Sequence, residues 1–185
     1  RIPCFNLNTP TKTEISNVFK KLNPVILSYS ICTSEEESNA YLYLTVNKDY
    51  SLENLDKNGR RDARKSLRNF QFDFITWEKL SEEGYKCYHD TRIRNSLSDS
   101  SKEHFKKFIE QSNSLPENVC LAAIDIETKK IAGYLVMTVV EDWIEVTGAF
   151  SDNDQLVKCP NNGLFHYLQE HFLKKGKITT ISYGY

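Results

Sequence analysis

Three consecutive apolar, β-branched runs, Val119 to Ile126, Ile131 to Val140 and Trp143 to Phe150, stand only four and two polar residues apart. Connections that short cannot carry a crossover, so successive runs must reverse direction and pair antiparallel. The spacing therefore predicts a three-strand meander.

Other patterns flank it. Thr11 and Glu14 have capping-box spacing, and Ile15, Val18, Phe19 and Leu22 recur at helical intervals, predicting a helix over Thr13 to Leu22 that Pro24 ends. Val25 to Cys32 and Ala40 to Val46 alternate and predict a hairpin across the acidic stretch Thr33 to Asn39. Arg60 to Asn69 reads as a helix, and Phe70 to Trp77 as a strand with Phe70, Phe72 and Phe74 on one face. Two further helices are predicted over Glu78 to Asn95 and Ser101 to Gln111. After the meander, the loop Ser151 to Cys159 leads through Pro160-Asn161-Asn162-Gly163 into a helix over Leu164 to Lys175, and Ile178 to Tyr183 forms a last strand.

The chain has 185 residues, 39% of them hydrophobic, with 24 lysines and arginines against 25 aspartates and glutamates. That composition excludes disorder, and a net charge of -1 gives no global field toward nucleic acid or membrane, so a polyanion site must be local. The longest apolar stretch, Ile131 to Val140, is half the length needed to cross a bilayer, which predicts no membrane span. Five cysteines, odd in number and without a CxxC pair, and no glycosylation sequon point to the reducing cytoplasm. The four histidines lack ligand spacing, so no metal is expected. The chain opens on Arg1 and closes at Tyr185 within an apolar segment, and so reads as a fragment.

The order from Phe70 onward is strand, two helices, three-strand meander, helix, strand. With Arg60-Arg61-x-x-Arg64-Lys65, Thr91-x-x-Arg94, Pro160-Asn161 and Tyr183-Gly184, it resembles the GNAT acyltransferases in their FemAB-like subfamily over about two thirds of the chain. The resemblance implies an α/β (α+β) fold with a mixed, mostly antiparallel sheet flanked by helices. It would be an incomplete GNAT unit at 57–185, behind an N-terminal helix and hairpin extension at 1–56. It also implies transfer of an acyl or aminoacyl group to a small-molecule or peptide amine, with acyl-CoA or aminoacyl-tRNA as co-substrate and no tightly bound cofactor. The usual GNAT phosphate loop has the form Gln/Arg-x-x-Gly-x-Gly/Ala, whereas Cys159 to Leu164 offers only Gly163. Asn161, Asn162 and Gly163 are the expected donor-binding residues, because first-turn N–H groups at a helix start can hold an anion.

At 100° per residue, Arg60, Arg61, Arg64, Lys65 and Arg68 fall within an arc of about 140°, with Ala63, Leu67 and Phe70 expected on a buried side. Like charges four residues apart repel, so the face needs an anion. The anion is either a bound phosphate or the acidic residues Glu35 to Glu37, Glu82 and Glu83. Arg94 is open to the same two readings, an ion pair or a ligand contact. Acyl transfer to an amine needs a proton acceptor and hydrogen-bond donors for the oxyanion. Glu145, on the third meander strand beside Trp143, is either the base or a solvent-facing strand carboxylate, with Tyr183 and His166 weaker catalytic candidates. Cys120 and Cys159 lack a neighbouring histidine, which argues against thiol catalysis. The alternative is a noncatalytic module that binds RNA or another polyanion through the Arg60 to Arg68 face.

Overall fold

The computed structural model describes residues 11–22, 44–46, 49–98, 100–174 and 178–183. The chain groups into two compact units, Arg1–Tyr41 and Leu42–Tyr185. In the first, helix α1 (Lys12–Leu22) opens on the expected capping box. The Glu14 N–H donates to Thr11 Oγ1 at 3.2 Å, and the Thr11 N–H donates back to the Glu14 carboxylate at 2.8 Å. Residues 42–56, expected in the N-terminal extension, belong with the second unit. The expected hairpin lies outside the described residues except for Leu44 to Val46.

The second unit is built on one six-stranded sheet in the order β1-β6-β5-β4-β3-β2. Its strands are β1 (Leu44–Thr45), β2 (Phe70–Ile75), β3 (Asn118–Asp125), β4 (Ile131–Val140), β5 (Trp143–Ser151) and β6 (Thr180–Ser182). The meander β3-β4-β5 is antiparallel as its short turns require, and β2 adds antiparallel to β3. On the other side β6 pairs parallel with β5, and β1 pairs antiparallel with β6. Every β4 residue from Ile131 to Thr138 is buried, which is why that run is continuously apolar instead of alternating.

Helices cover both faces. On one, α6 (Pro160–Leu168) places Leu164 and Leu168 against Leu135, Met137, Ile144 and Ile181, and a π-helical turn, Gln169–Lys174, continues it. On the other, α3 (Trp77–Glu83), α4 (Tyr85–Arg94) and α5 (Lys102–Asn113) pack Leu80, Tyr88, Phe105 and Ile109 against Cys120, Tyr134 and Val136. The expected helix over 78–95 is thus two helices that meet at Gly84.

Helix α2 (Lys57–Asn69) lies beside α6 and begins at Asp56, whose carboxylate accepts the Gly59 N–H at 2.7 Å. Ala63 and Phe70 are buried as expected, but Leu67 is 39% exposed and Ser66 is buried in its place. The cause is Gly163 on α6. A Cβ there would overlap the Ser66 hydroxyl and the Phe72 ring, so the helices meet at a point that admits only small groups. On the sheet side, a Cβ at Gly133 of β4 would stand 3.0 Å from the Phe150 carbonyl and 3.3 Å from Pro160, so α6 also starts hard against the sheet.

Candidate active site at the end of the parallel strand pair

Strands β5 and β6 pair over only three residues, Trp143 with Thr180, Ile144 with Ile181 and Glu145 with Ser182. Just beyond, Val146 faces Met137 while Gly148 faces Val136, so Thr147 is an extra residue in β5, its hydroxyl donating to the Val136 carbonyl at 3.1 Å. A bulge of this kind bends and twists its strand. Among the described residues, β5 past Glu145 has no strand partner on its β6 side.

Glu145 and Tyr183 meet this point from opposite faces. Ile144 and Ile181 belong to the core under α6, so the alternation of β5 turns the half-buried Glu145 to the other face, beside Ser182. Tyr183 packs on the α6 side, edge-on to Phe165 at 5.4 Å between ring centres. Its hydroxyl accepts hydrogen bonds from Gln169 Nε2 at 2.9 Å and Thr45 Oγ1 at 3.1 Å. Both bonds use lone pairs, so the Tyr183 proton is left to be donated.

The connection from β5 to α6 is held by charge. Lys86 on α4 pairs with Asp90 at 3.1 Å, with Asp154 at 2.9 Å and with Asp152. Burial works against the Lys86 ammonium, yet these three carboxylates together raise its pKa. Arg94 donates to Asn153 and, at 3.1 Å, to both Thr91 Oγ1 and Ser151 Oγ, while the Ser151 N–H donates to Thr91 Oγ1 at 2.9 Å. The Thr91-x-x-Arg94 pair thus ties α4 to the end of β5. Lys158 closes the other side of the loop on Asp125 at 2.7 Å.

Helix α6 begins after Cys159, which takes the left-handed conformation at φ 61°, with Pro160 in its first turn. Burial first, then the Asp62 carboxylate, raises the Cys159 thiol pKa, and burial pushes Cys87 up to about 12. Neither favours a thiolate. Of the expected donor-binding residues, Asn162 is exposed and Asn161 half-buried, whereas Gly163 is buried against Ser66 and Phe72.

The basic face of α2 is partly neutralised from within. Arg60 and Arg64 close on the two oxygens of Glu53 at 3.0 and 2.8 Å, and Arg61 pairs with its neighbour Asp62 at 2.8 Å. Of the carboxylates expected to do this, Glu83 pairs with Lys79 and Glu35 to Glu37 lie outside the described residues. Lys65 and Arg68 make no ion pair among the described residues. A cavity of about 360 Å³ opens between α2 and α6, with Tyr50, Ala63, Asn161, Phe165, His166 and Gln169 among its walls. Tyr50, Thr45, Gln169 and Glu53 escaped the sequence reading. Gln169 alone left a signal, standing three residues from His166 on one helical face.

No protein-family model matches the chain, and no curated protein matches it. Solved structures do. FemX aligns with a TM-score of 0.61 at 10% identity, over 77% of this chain and 52% of its own. The C-terminal domain of a candidate lysylphosphatidylglycerol synthetase from Agrobacterium fabrum aligns with a TM-score of 0.55 at 12% identity, over 77% and 45%. A GNAT family acetyltransferase from Staphylococcus aureus reaches only 0.46 at 16% identity, over 63% and 88%, a similarity too slight to carry weight. The chain thus spans about half the length of the first two structures, and its fold is similar to theirs. Among the described residues no helix is long and apolar enough to cross a membrane.

Proposed function

We propose that the chain is an N-acyltransferase that moves an acyl or aminoacyl group from an activated carbonyl, the thioester of acyl-CoA or the ester of an aminoacyl-tRNA, to an amine. The observation that carries this reading is the parallel pair β5–β6, which stops at Glu145 and Ser182 with a bulge directly beyond. A strand edge without a partner offers unpaired N–H and C=O groups to an amide-bearing ligand. It also leaves a gap in the sheet where a reacting carbonyl can be reached from either face.

In that gap the amine nitrogen attacks the carbonyl carbon and gives up its proton to the Glu145 carboxylate. The new C–N bond forms and the C–S or C–O bond breaks. Tyr183, its oxygen already accepting from Gln169 and Thr45, donates its proton to the departing sulfur or oxygen. The first-turn N–H groups of Asn161 and Asn162 are the anchor for a donor phosphate, since an α-helix start leaves them without intrahelical partners. Asp152 and Asp154 would repel a phosphate nearby, and their engagement by Lys86 lessens that repulsion.

The test is release of free thiol when the protein meets acetyl-CoA and a panel of amines. Glu145→Gln should slow the reaction by about 100- to 10,000-fold, the usual contribution of a general base. Unchanged turnover in a folded Glu145→Gln variant removes that residue from the mechanism. If no thioester or aminoacyl ester is consumed, the acyltransferase reading falls.

A further inference from the structure

The cavity between α2 and α6 lies on the α6 side of the sheet, away from Glu145, and its walls include Asn161 and Asn162, the proposed phosphate anchor, and Gln169, the partner of Tyr183. Asn162, Phe165, His166 and Gln169 recur at three- and four-residue spacing, so they form one face of α6 toward it. Opposite them, Gly59 and Ala63 on α2 are small and leave the space open. Among the described residues no lysine, arginine, aspartate or glutamate lines the cavity, so no charged side chain there selects an ion. Its volume of about 360 Å³ lies at the small end of the range of ligand pockets, about 300 to 1,000 Å³.

The hydrogen-bonding groups of the wall have defined roles. Tyr50 and His166, 6% and 5% exposed, are joined through the Tyr50 hydroxyl and His166 Nδ1 at 3.0 Å. Burial first, then the charges of Glu170 and Tyr183, push the Tyr50 pKa up to about 12, so its hydroxyl keeps a proton that it can donate in this bond. Burial also lowers the pKa of His166, assisted by Lys174 and opposed by Glu170. In the tautomer in which the Tyr50 hydroxyl donates to Nδ1, the neutral imidazole carries its proton on Nε2 and is an N–H donor there. Gln169 has the complementary character. Its Nε2 is committed to Tyr183, which leaves its Oε1 as the acceptor.

We propose that this cavity binds a neutral planar heterocycle of the nucleobase class, with His166 donating to it, Gln169 accepting from it and the Phe165 ring beside it. A nucleobase is uncharged, flat and carries donors and acceptors next to each other on one edge, which matches a wall with an aromatic ring and several hydrogen-bonding groups. An aliphatic ligand would leave those groups unanswered. The inference stands on the cavity alone and does not require acyl transfer. The same chemistry arrives either as a free nucleoside or as the base of a larger donor such as CoA.

The experiment is an NMR titration of the intact chain with adenosine and with uridine to about 5 mM, a range that detects even millimolar affinity. trans-1,4-Cyclohexanediol serves as an uncharged, nonplanar control. At least one nucleoside should give saturable shifts centred on Phe165, His166 and Gln169 and bind about tenfold or more tightly than the diol, because a site built to hydrogen-bond a ligand discriminates against one that cannot reciprocate. Gln169→Leu should remove about tenfold of that affinity. CoA competing for the same signals would identify the base as part of a donor, and CoA leaving them unmoved would assign the pocket to a free nucleoside. Absence of saturable shifts with both nucleosides, or equal affinity for the diol, overturns the proposal, and both results are read on the unaltered protein. The outcome is independent of thiol release, so failure here and failure of the acyltransferase reading remain distinguishable.

Discussion

Gly163 of α6 stands so close to Ser66 of α2 that a Cβ on the glycine would lie 2.7 Å from the serine Cβ and overlap its hydroxyl. The two helices that enclose the cavity are therefore registered by the absence of one methyl group. Gly163→Ala should destabilise the protein by about 1 to 3 kcal/mol, the range for overpacking a tight interior. Ser66→Ala should do no harm, and should add up to about 1 kcal/mol, because the Ser66 hydroxyl is buried with no hydrogen-bond partner among the described residues. Urea midpoints of the two variants check both signs, and a Gly163→Ala midpoint at the wild-type value would contradict the packing argument.

Asp125, 1% exposed, ties the β3–β4 turn to the loop before α6. Burial on its own would raise its pKa. Lys158, at 2.7 Å, and the Thr128 and Glu127 N–H groups, at 2.9 and 3.0 Å, outweigh burial and hold it at about 2. Since the folded value lies below the unfolded one of about 3.9, the stabilisation is complete above that value and is lost as the pH falls toward about 2. Asp125→Asn should flatten the acid limb of stability between those limits and lower the melting temperature at neutral pH. An unchanged acid limb, measured by thermal melts from pH 2 to 6, would show that the carboxylate is not held in this way.

Had the whole α2 face bound single-stranded RNA, five phosphate contacts would give a salt slope of about 3.5 in log affinity. With Arg60 and Arg64 closed on Glu53 and Arg61 on Asp62, two cations, Lys65 and Arg68, remain without an ion pair among the described residues, and the slope should not exceed about 1.4. Glu53→Gln should release two arginines and steepen it to about 2.8. A wild-type slope near the five-contact value would mean that nucleic acid displaces these carboxylates.

For the reaction itself, Tyr183→Phe should matter most where the leaving group most needs a proton. An alkoxide departs less readily than a thiolate, so loss of the Tyr183 proton should slow transfer from an oxygen ester by about 100-fold and transfer from a thioester by less. Equal slowing with both donors would point instead to a positioning role for the hydroxyl through its bonds to Gln169 and Thr45.

Much of the architecture was legible because it follows from local rules. The two- and four-residue turns between Val119 and Phe150 permit only antiparallel pairing, and the Thr11–Glu14 box and the Thr91-x-x-Arg94 spacing act within one helix turn. What the sequence could not supply were partners remote in the chain. Glu53 meets Arg64 from a separate short helix, and Thr45 meets Tyr183 across 138 positions. Leu67 was expected inside because it sits on the apolar stripe of α2, but a stripe says nothing about which residue will meet the neighbouring helix, and the one that meets Gly163 is Ser66.

From Phe70 onward the order of strands and helices, apart from the break at Gly84, was determined by the sequence alone, since periodicity and turn length act over a few residues whatever lies around them. Only the tertiary structure decided that Glu145 and Tyr183 approach one point from opposite faces of the sheet and that Asn161, His166 and Gln169 share a cavity with Tyr50. Those relations depend on the register of β5 against β6 and on the contact between Gly163 and Ser66, and both are settled by how side chains fit together, which no local pattern encodes.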